Sequence, residues 1–415
     1  MANDRTSIED GASPTREETL TRKVVSRAAL VALLMLMGSG MTLGLSAAAT
    51  TTAPSSTFYA CLRSGALSKV SNVPHTCPVG FTAANWSVVG PPGAAGRDGS
   101  PVACILVTLC AWGRQFSGGS YGFNGPEKAA FDGTHVWVSN LTSDSVTEFN
   151  ASDGSWVRTL SGGSYGFNAP FGIAFDGTHL WVANSLGASV TELNASDGSW
   201  VQTLSGGSYA FNGPHDLAFD GTHLWVTNFS GKSVTEFNAS DGSWVRTLSG
   251  GSYAFTGPTG VAFDGTHLWV TNDGSTSVSE LNVSDGSWVR TLSGAYSFLT
   301  PYDIAFDGAH LWVTNSSGNS VTEFNASDGS WVRTLAGGSY GFNSPSGIAF
   351  DGRHLWVTNF GGASVTELNA ADGSWVRTLS AGSYGFNNPS GLAFDGTHVW
   401  VANISGDSVT EIFAH

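Results

Sequence analysis

Charge is scarce in this chain. Only 12% of its 415 residues are charged, and the formal net charge is −15. A surface so poor in Lys and Arg lacks the basic footprint that nucleic acid or an anionic bilayer requires, so neither is expected as a partner. Cysteine is scarce too. The four, Cys61, Cys77, Cys104 and Cys110, all precede the repeated part of the chain, and their spacing does not suggest a nucleophile. Helical patterning is missing from that repeated part, where no stretch places apolar residues at i, i+3, i+4 and i+7. These absences leave an all-β reading.

What is present is a repeat. Phe-Asp-Gly occurs seven times, beginning at Phe131, Phe175, Phe219, Phe263, Phe306, Phe350 and Phe394, with intervals of 44, 44, 44, 43, 44 and 44 residues. A period of this length denotes a solenoid, a propeller or an array. Within the unit from Pro170 to Gly207, four short runs rich in Val, Trp, Thr and Phe are separated by Asp-Gly and Gly-Ser turns. Such runs read as strands. Four antiparallel strands per unit, repeated seven times, predict a seven-bladed β-propeller.

The ends of the repeat predict its closure. Residues Ala111 to Ser117 align with a fourth strand, whereas the chain stops at Ser408–Phe413, a third strand. The N-terminal strand is therefore expected to complete the C-terminal blade and remove the open edges. Fourteen of the fifteen Trp fall in the repeats, one on each second strand and one on each fourth strand, Trp112 included. All fourteen are expected to pack between sheets. The turn Asn150-Ala-Ser-Asp-Gly-Ser155, read as a type I turn with a G1 bulge, places Glu148 opposite Arg158. The pairing recurs as Glu236/Arg246, Glu280/Arg290, Glu323/Arg333 and Glu367/Arg377, with Gln202 beside Glu192. These are expected to be structural ladders, each contributing about 0.2–1 kcal/mol.

The N-terminal part divides by composition. Residues 1–49 hold a polar lead, Arg22, Lys23 and Arg27, then an uncharged run from Ala28 to Ala49 ending in small residues. This is a signal peptide or a signal anchor, which predicts a secreted or cell-surface protein. Residues 50–89 form a small exported module in which Cys61 and Cys77 would pair, with Cys104 and Cys110 closing a second loop. Residues 90–111 include four Gly-X-Y triplets, too few to hold a collagen trimer and better read as a spacer. The propeller, expected to be monomeric, occupies 112–415.

The motifs Leu-Trp-Val-Thr-Asn, Ser-Val-Thr-Glu, Asp-Gly, Val-Arg-Thr-Leu and Pro-x-Gly-Ile-Ala recur over residues 112–413. They resemble the YVTN and NHL families of propeller repeats and are similar to the streptogramin (virginiamycin B) lyase type of seven-bladed propeller. The resemblance implies the fold. Functions among these families include ligand binding, extracellular sensing, scaffolding and a few enzymes. The lyase type further implies a His and acidic residues around a magnesium ion at the channel mouth. Here Asn140, Asn184, Asn228, Asn272, Asn315, Asn359 and Asn403 stand where those enzymes place acidic residues.

Differences between repeats collect in two places. One is the pair after the return Pro, which reads Glu127-Lys128, Phe171-Gly172, His215-Asp216, Thr259-Gly260, Tyr302-Asp303, Ser346-Gly347 and Ser390-Gly391. The other is the loop after the second strand, containing Phe229, Asp273 and Phe360. Both loops emerge on one face of an up-and-down blade, so that rim is the expected ligand site, drift of exposed loops being the competing explanation. The candidate rim set is Glu127, Phe171, His215, Asp216, Tyr302, Asp303, Phe229, Asp273 and Phe360. Its ligand would be an extracellular protein or small molecule, bound without a cofactor. A carboxylate cluster beside a His also suits a divalent cation, Mg or Ca. In that alternative a metal-dependent lyase or lactone hydrolase would use His215 as base, with Asp216, Asp303 and Glu127 as metal candidates. A rigid structural spacer is the third reading. The seven turn histidines, His135 to His398, are expected to be hydrogen-bonders of the opposite face.

Overall fold

The computed structural model describes residues 56–63, 66–71, 82–88 and 113–414. The apolar run 28–49, the Gly-X-Y segment, Trp112, Cys77, Cys104 and Cys110 lie outside them, and with them both proposed cysteine pairings. Three antiparallel strands, β1 (Ser56–Arg63), β2 (Ala66–Ser71) and β3 (Thr82–Val88), form a sheet in the order β2-β1-β3, with Cys61 on the central strand opposite Ser68 and Ala83. Among the described residues no helix is long and apolar enough to cross a membrane.

The repeats form seven four-stranded antiparallel sheets. Blades I to VI span Pro126–Ser161, Pro170–Ser205, Pro214–Ser249, Pro258–Ser293, Pro301–Ala336 and Pro345–Ser380. Blade VII takes three strands from Pro389–Phe413 and its outermost from β4 (Arg114–Ser117). The predicted closure is present, in the register Glu411 to Arg114 through Ser408 to Ser117. Arg114 donates two hydrogen bonds to the Glu411 carboxylate, so the closing blade carries the same Arg–Glu pair as the others. Two short helical turns, Ala381–Tyr384 and Ile404–Gly406, are the exceptions to an all-β reading.

The Phe-Asp-Gly motif repeats because its Asp is a hub. Asp132 Oδ1 accepts the Thr134 and His135 amides at 2.8 and 2.6 Å, and Oδ2 accepts the Trp137 indole N–H at 2.7 Å. The glycine that follows turns with φ of 99°, which other residues rarely adopt. His135 lies beside both Asp132 and Glu148, at 3.2 and 3.5 Å. Every second-strand Trp is fully buried and packs on the next blade, as Trp137 does on Ile173 and Val182, and as Trp400 does on Val136 across the closure.

The fourth-strand Trp correct one expectation. Trp156, Trp200, Trp244, Trp288, Trp331 and Trp375 are 44–49% exposed, each donating its indole N–H to a Thr three residues on. Blades radiate from an axis, so the gap between them widens outward. A large side chain on the outermost strand therefore finds a neighbour on one face only.

The Glu–Arg ladders occur in the predicted register, but they are not surface pairs. Glu148, Glu236, Glu280, Glu323 and Glu367 are buried, and burial pushes the first four above the usual carboxylate range against the pull of their arginines. The arginines also bridge blades: Arg290 and Arg333 donate to the Asp328 and Asp372 carbonyls of the following turn. Gln202 takes both roles in blade II, donating to Glu192 and to the Asp241 carbonyl.

Candidate functional site at the axial mouth

The innermost strands of successive blades pack side by side around the axis. Each begins with the return Pro, so the two residues after it reach the mouth of the channel. At the second of these positions, blades I, III and V carry Lys128, Asp216 and Asp303, while blades II, IV, VI and VII carry glycine. The glycines have a steric cause. A Cβ on Gly172 would lie 2.9 Å from Asp216 Cα, one on Gly260 2.8 Å from Asp303 Cα, and one on Gly391 2.8 Å from Lys128 Cα. The obstacle is the neighbouring backbone itself, since a Cβ on Gly347 would lie 2.4 Å from the Ser390 carbonyl oxygen although a glycine follows it. With seven blades the alternation cannot close, and blades VI and VII are left as adjacent glycines.

Spaced in this way, the three charges meet. Lys128 Nζ lies 3.0 Å from Asp303 Oδ2 and 3.5 Å from Asp216 Oδ2. All three side chains are largely buried. Asp303 Oδ1 accepts the Ile304 amide at 3.0 Å, and Asp216 Oδ1 accepts the Leu217 amide at 3.1 Å. Each carboxylate thus has one oxygen tied to its own strand and the other beside the ammonium. Burial alone would lower the Lys128 pKa, but Asp216 and Asp303 outweigh it and hold the amine above its ordinary value. Asp216 is pushed up to about 6 by burial, with Lys128 opposing and Asp303 adding.

The first position after Pro supplies a second group. The His215 ring packs against Phe171 at 4.0 Å between centroids, tilted by 36°, with Tyr302 edge-on at 5.8 Å and Phe229 at 6.1 Å. Burial, then the nearby Lys128 cation, lowers His215 to about 3, against a hydrogen bond that the ring donates to the Thr259 backbone. Its Nδ1 is buried without a partner among the described residues. Tyr302 is raised by burial and by Glu127, and remains a phenol. Glu127 is buried at the seam between blades VII and I, accepts the Ser390 hydroxyl at 2.6 Å, and is raised to about 7 by burial.

Seven of the nine candidate residues are thus drawn into one neighbourhood. The other two are not. Asp273 is a half-buried carboxyl raised by burial, and Phe360 is an exposed ring whose carbonyl accepts from Asn388; neither is paired or stacked with the axial cluster among the described residues. Lys128 is the residue that sequence reasoning passed over. It was visible as a departure from the repeat, but a His and several acids drew attention away from a single amine. A shallow cleft of about 370 Å³ lies elsewhere, on the turns carrying Asp307, His310 and Arg353, and includes none of the candidates.

The metal reading meets this geometry directly. Asp216 and Asp303 already share the Lys128 ammonium, and no three His, Cys, Asp or Glu are grouped to hold an ion among the described residues. The seven Asn are buried and face the third strand, as Asn140 Nδ2 does in donating to Thr147 at 2.9 Å. The residues present do not fit a magnesium ion on the axis.

Comparison with solved structures settles the architecture. A catalytically inactive variant of virginiamycin B lyase from Staphylococcus aureus, with quinupristin, superposes with a TM-score of 0.59 at 16% identity, covering 73% of this chain and 99% of the lyase. A streptogramin B lyase gives a TM-score of 0.58 at 15% identity, over 72% and 96%. This chain has the streptogramin-lyase-like seven-bladed fold. Kuenenia stuttgartiensis hydrazine synthase is as similar, with a TM-score of 0.59 at 19% identity over 71% and 96%. One fold thus spans unlike chemistries, and likeness at this level carries architecture alone. No family model and no curated protein matches the sequence.

Proposed function

We propose that this chain is an exported propeller that binds an extracytoplasmic ligand, a small molecule or a protein, on the rim carrying Phe171, His215, Phe229 and Tyr302, without transforming it. The observation that carries the reading is the state of His215. His215, the histidine of the axial mouth, lies among aromatic rings, and burial pushes it to about 3, far below the range in which general bases work at neutral pH. An aromatic arc edged by Phe229, 39% exposed, suits apolar contact on this rim. Export is supported by the apolar run 28–49 and its small-residue end.

The second reading is a metal-dependent lyase or lactone hydrolase, and one experiment separates the two. The full-length protein is incubated with quinupristin and magnesium, and the products are weighed by mass spectrometry. Unchanged quinupristin is the expected result; a cleaved product would put the enzyme reading first. The rim itself is tested with anilinonaphthalene sulfonate. Its saturable fluorescence gain should fall in Phe229→Ser and persist in Trp244→Ser. The reverse pattern would move binding to the outer wall.

A further inference from the structure

We propose that the Lys128 ammonium takes the place of a divalent cation on the propeller axis: one amine from blade I holds together the Asp216 and Asp303 carboxylates of blades III and V, closing the channel mouth without a metal. The inference stands on the axial geometry and does not depend on the binding reading above.

Three observations carry it. The ammonium contacts the Oδ2 atoms of both carboxylates, at 3.0 and 3.5 Å, while one oxygen of each is tied to its own strand. These are the oxygens that a hard cation would use, at about 2.0–2.6 Å. The glycines preceding each charged residue make this meeting possible, since a Cβ at Gly391 would lie 2.8 Å from both Cα and Cδ of Lys128. Finally, the nearby imidazole is engaged elsewhere: His215 lies tilted against Phe171 with Tyr302 edge-on, and its Nδ1 is buried and unpartnered among the described residues. A divalent ion at the carboxylates would meet an ammonium already in the site, and both would be positive.

The inference predicts a cation site that opens when the amine is removed. Magnesium, calcium and manganese are titrated by calorimetry into the wild-type protein, Lys128→Ala and Lys128→Ala with Asp303→Asn. Wild type should give no saturable heat at millimolar metal. Lys128→Ala should bind at least roughly tenfold tighter than wild type, a difference that the added Asn removes. Saturable wild-type binding that Asp303→Asn abolishes would overturn the inference, and so would a flat titration for Lys128→Ala, since the carboxylates would then form no cation site at all. Should Lys128→Ala fail to fold, Lys128→Ser is titrated instead, and recovery of folding by added metal or by butylammonium counts in favour.

Discussion

The wall and the axis of this propeller obey opposite rules. On the wall, the same circuit of Asp, His, Trp, Glu and Arg recurs from blade to blade, and even the borrowed strand supplies its Arg114 to Glu411. At the axis, Lys, Asp and Asp occupy three positions of seven and glycine the other four. The wall repeats because each blade faces an identical neighbour, so one solution serves throughout. At the axis a large side chain cannot recur in every blade, because seven do not fit where the innermost strands converge. Charged side chains at the centre therefore break the repeat, and the departures gather at the rim proposed to work.

The sharpest break in this comparison sets one Trp against another. Trp225→Ala removes a fully buried ring from an interblade core and should cost about 3–5 kcal/mol. Trp244→Ser, one strand pair outward and 45% exposed, should cost less than about 1 kcal/mol. Urea midpoints measure both, and equal losses would refute the radial account of the wall.

Next comes the buried ladder. Arg246→Ala leaves the Glu236 carboxylate buried with only His223 beside it at 3.6 Å, an expected loss of about 1–3 kcal/mol. Arg246→Gln, copying the Gln202 of blade II, should recover most of that loss, because Gln202 serves both carboxylate and neighbouring carbonyl.

The axis offers a pH signature of about 3 kcal/mol. Folding raises Glu127 from 4.5 to about 7, so between those values the native state holds a proton that the unfolded chain has lost. Stability from this group therefore falls as pH rises through the window, and the full penalty is present above it. Glu127→Gln should be more stable than wild type at pH 8, with the difference fading toward pH 4. His215 has the opposite sign. Its native value of about 3 lies below the ordinary 6.5, so its contribution is complete above 6.5 and lost on acidification. His215→Phe should lessen the acid loss, read from thermal midpoints between pH 7 and 4.

The fold was readable because period carries it. The 44-residue spacing, the Asp-Gly turns and the misaligned ends imply blades and their closure without side-chain detail. The outer Trp misled for a physical reason: alternation says which face a residue occupies but not its distance from the axis. The site was half readable. His215, Glu127, Asp216, Tyr302 and Asp303 stood out as departures from the repeat, and so did the glycines between them. What sequence could not convey is that residues from blades I, III and V meet, which follows from the radius of a closed ring. Asp273 and Phe360 departed from the repeat just as clearly and lie outside the meeting point.

The most direct measurement is the anomalous diffraction of crystals grown with manganese. The account predicts no anomalous peak between Asp216 and Asp303, and the Lys128 amine in its place at hydrogen-bond distance from Asp303. A manganese peak at about 2.0–2.4 Å from both carboxylates, with Lys128 turned away, would contradict it.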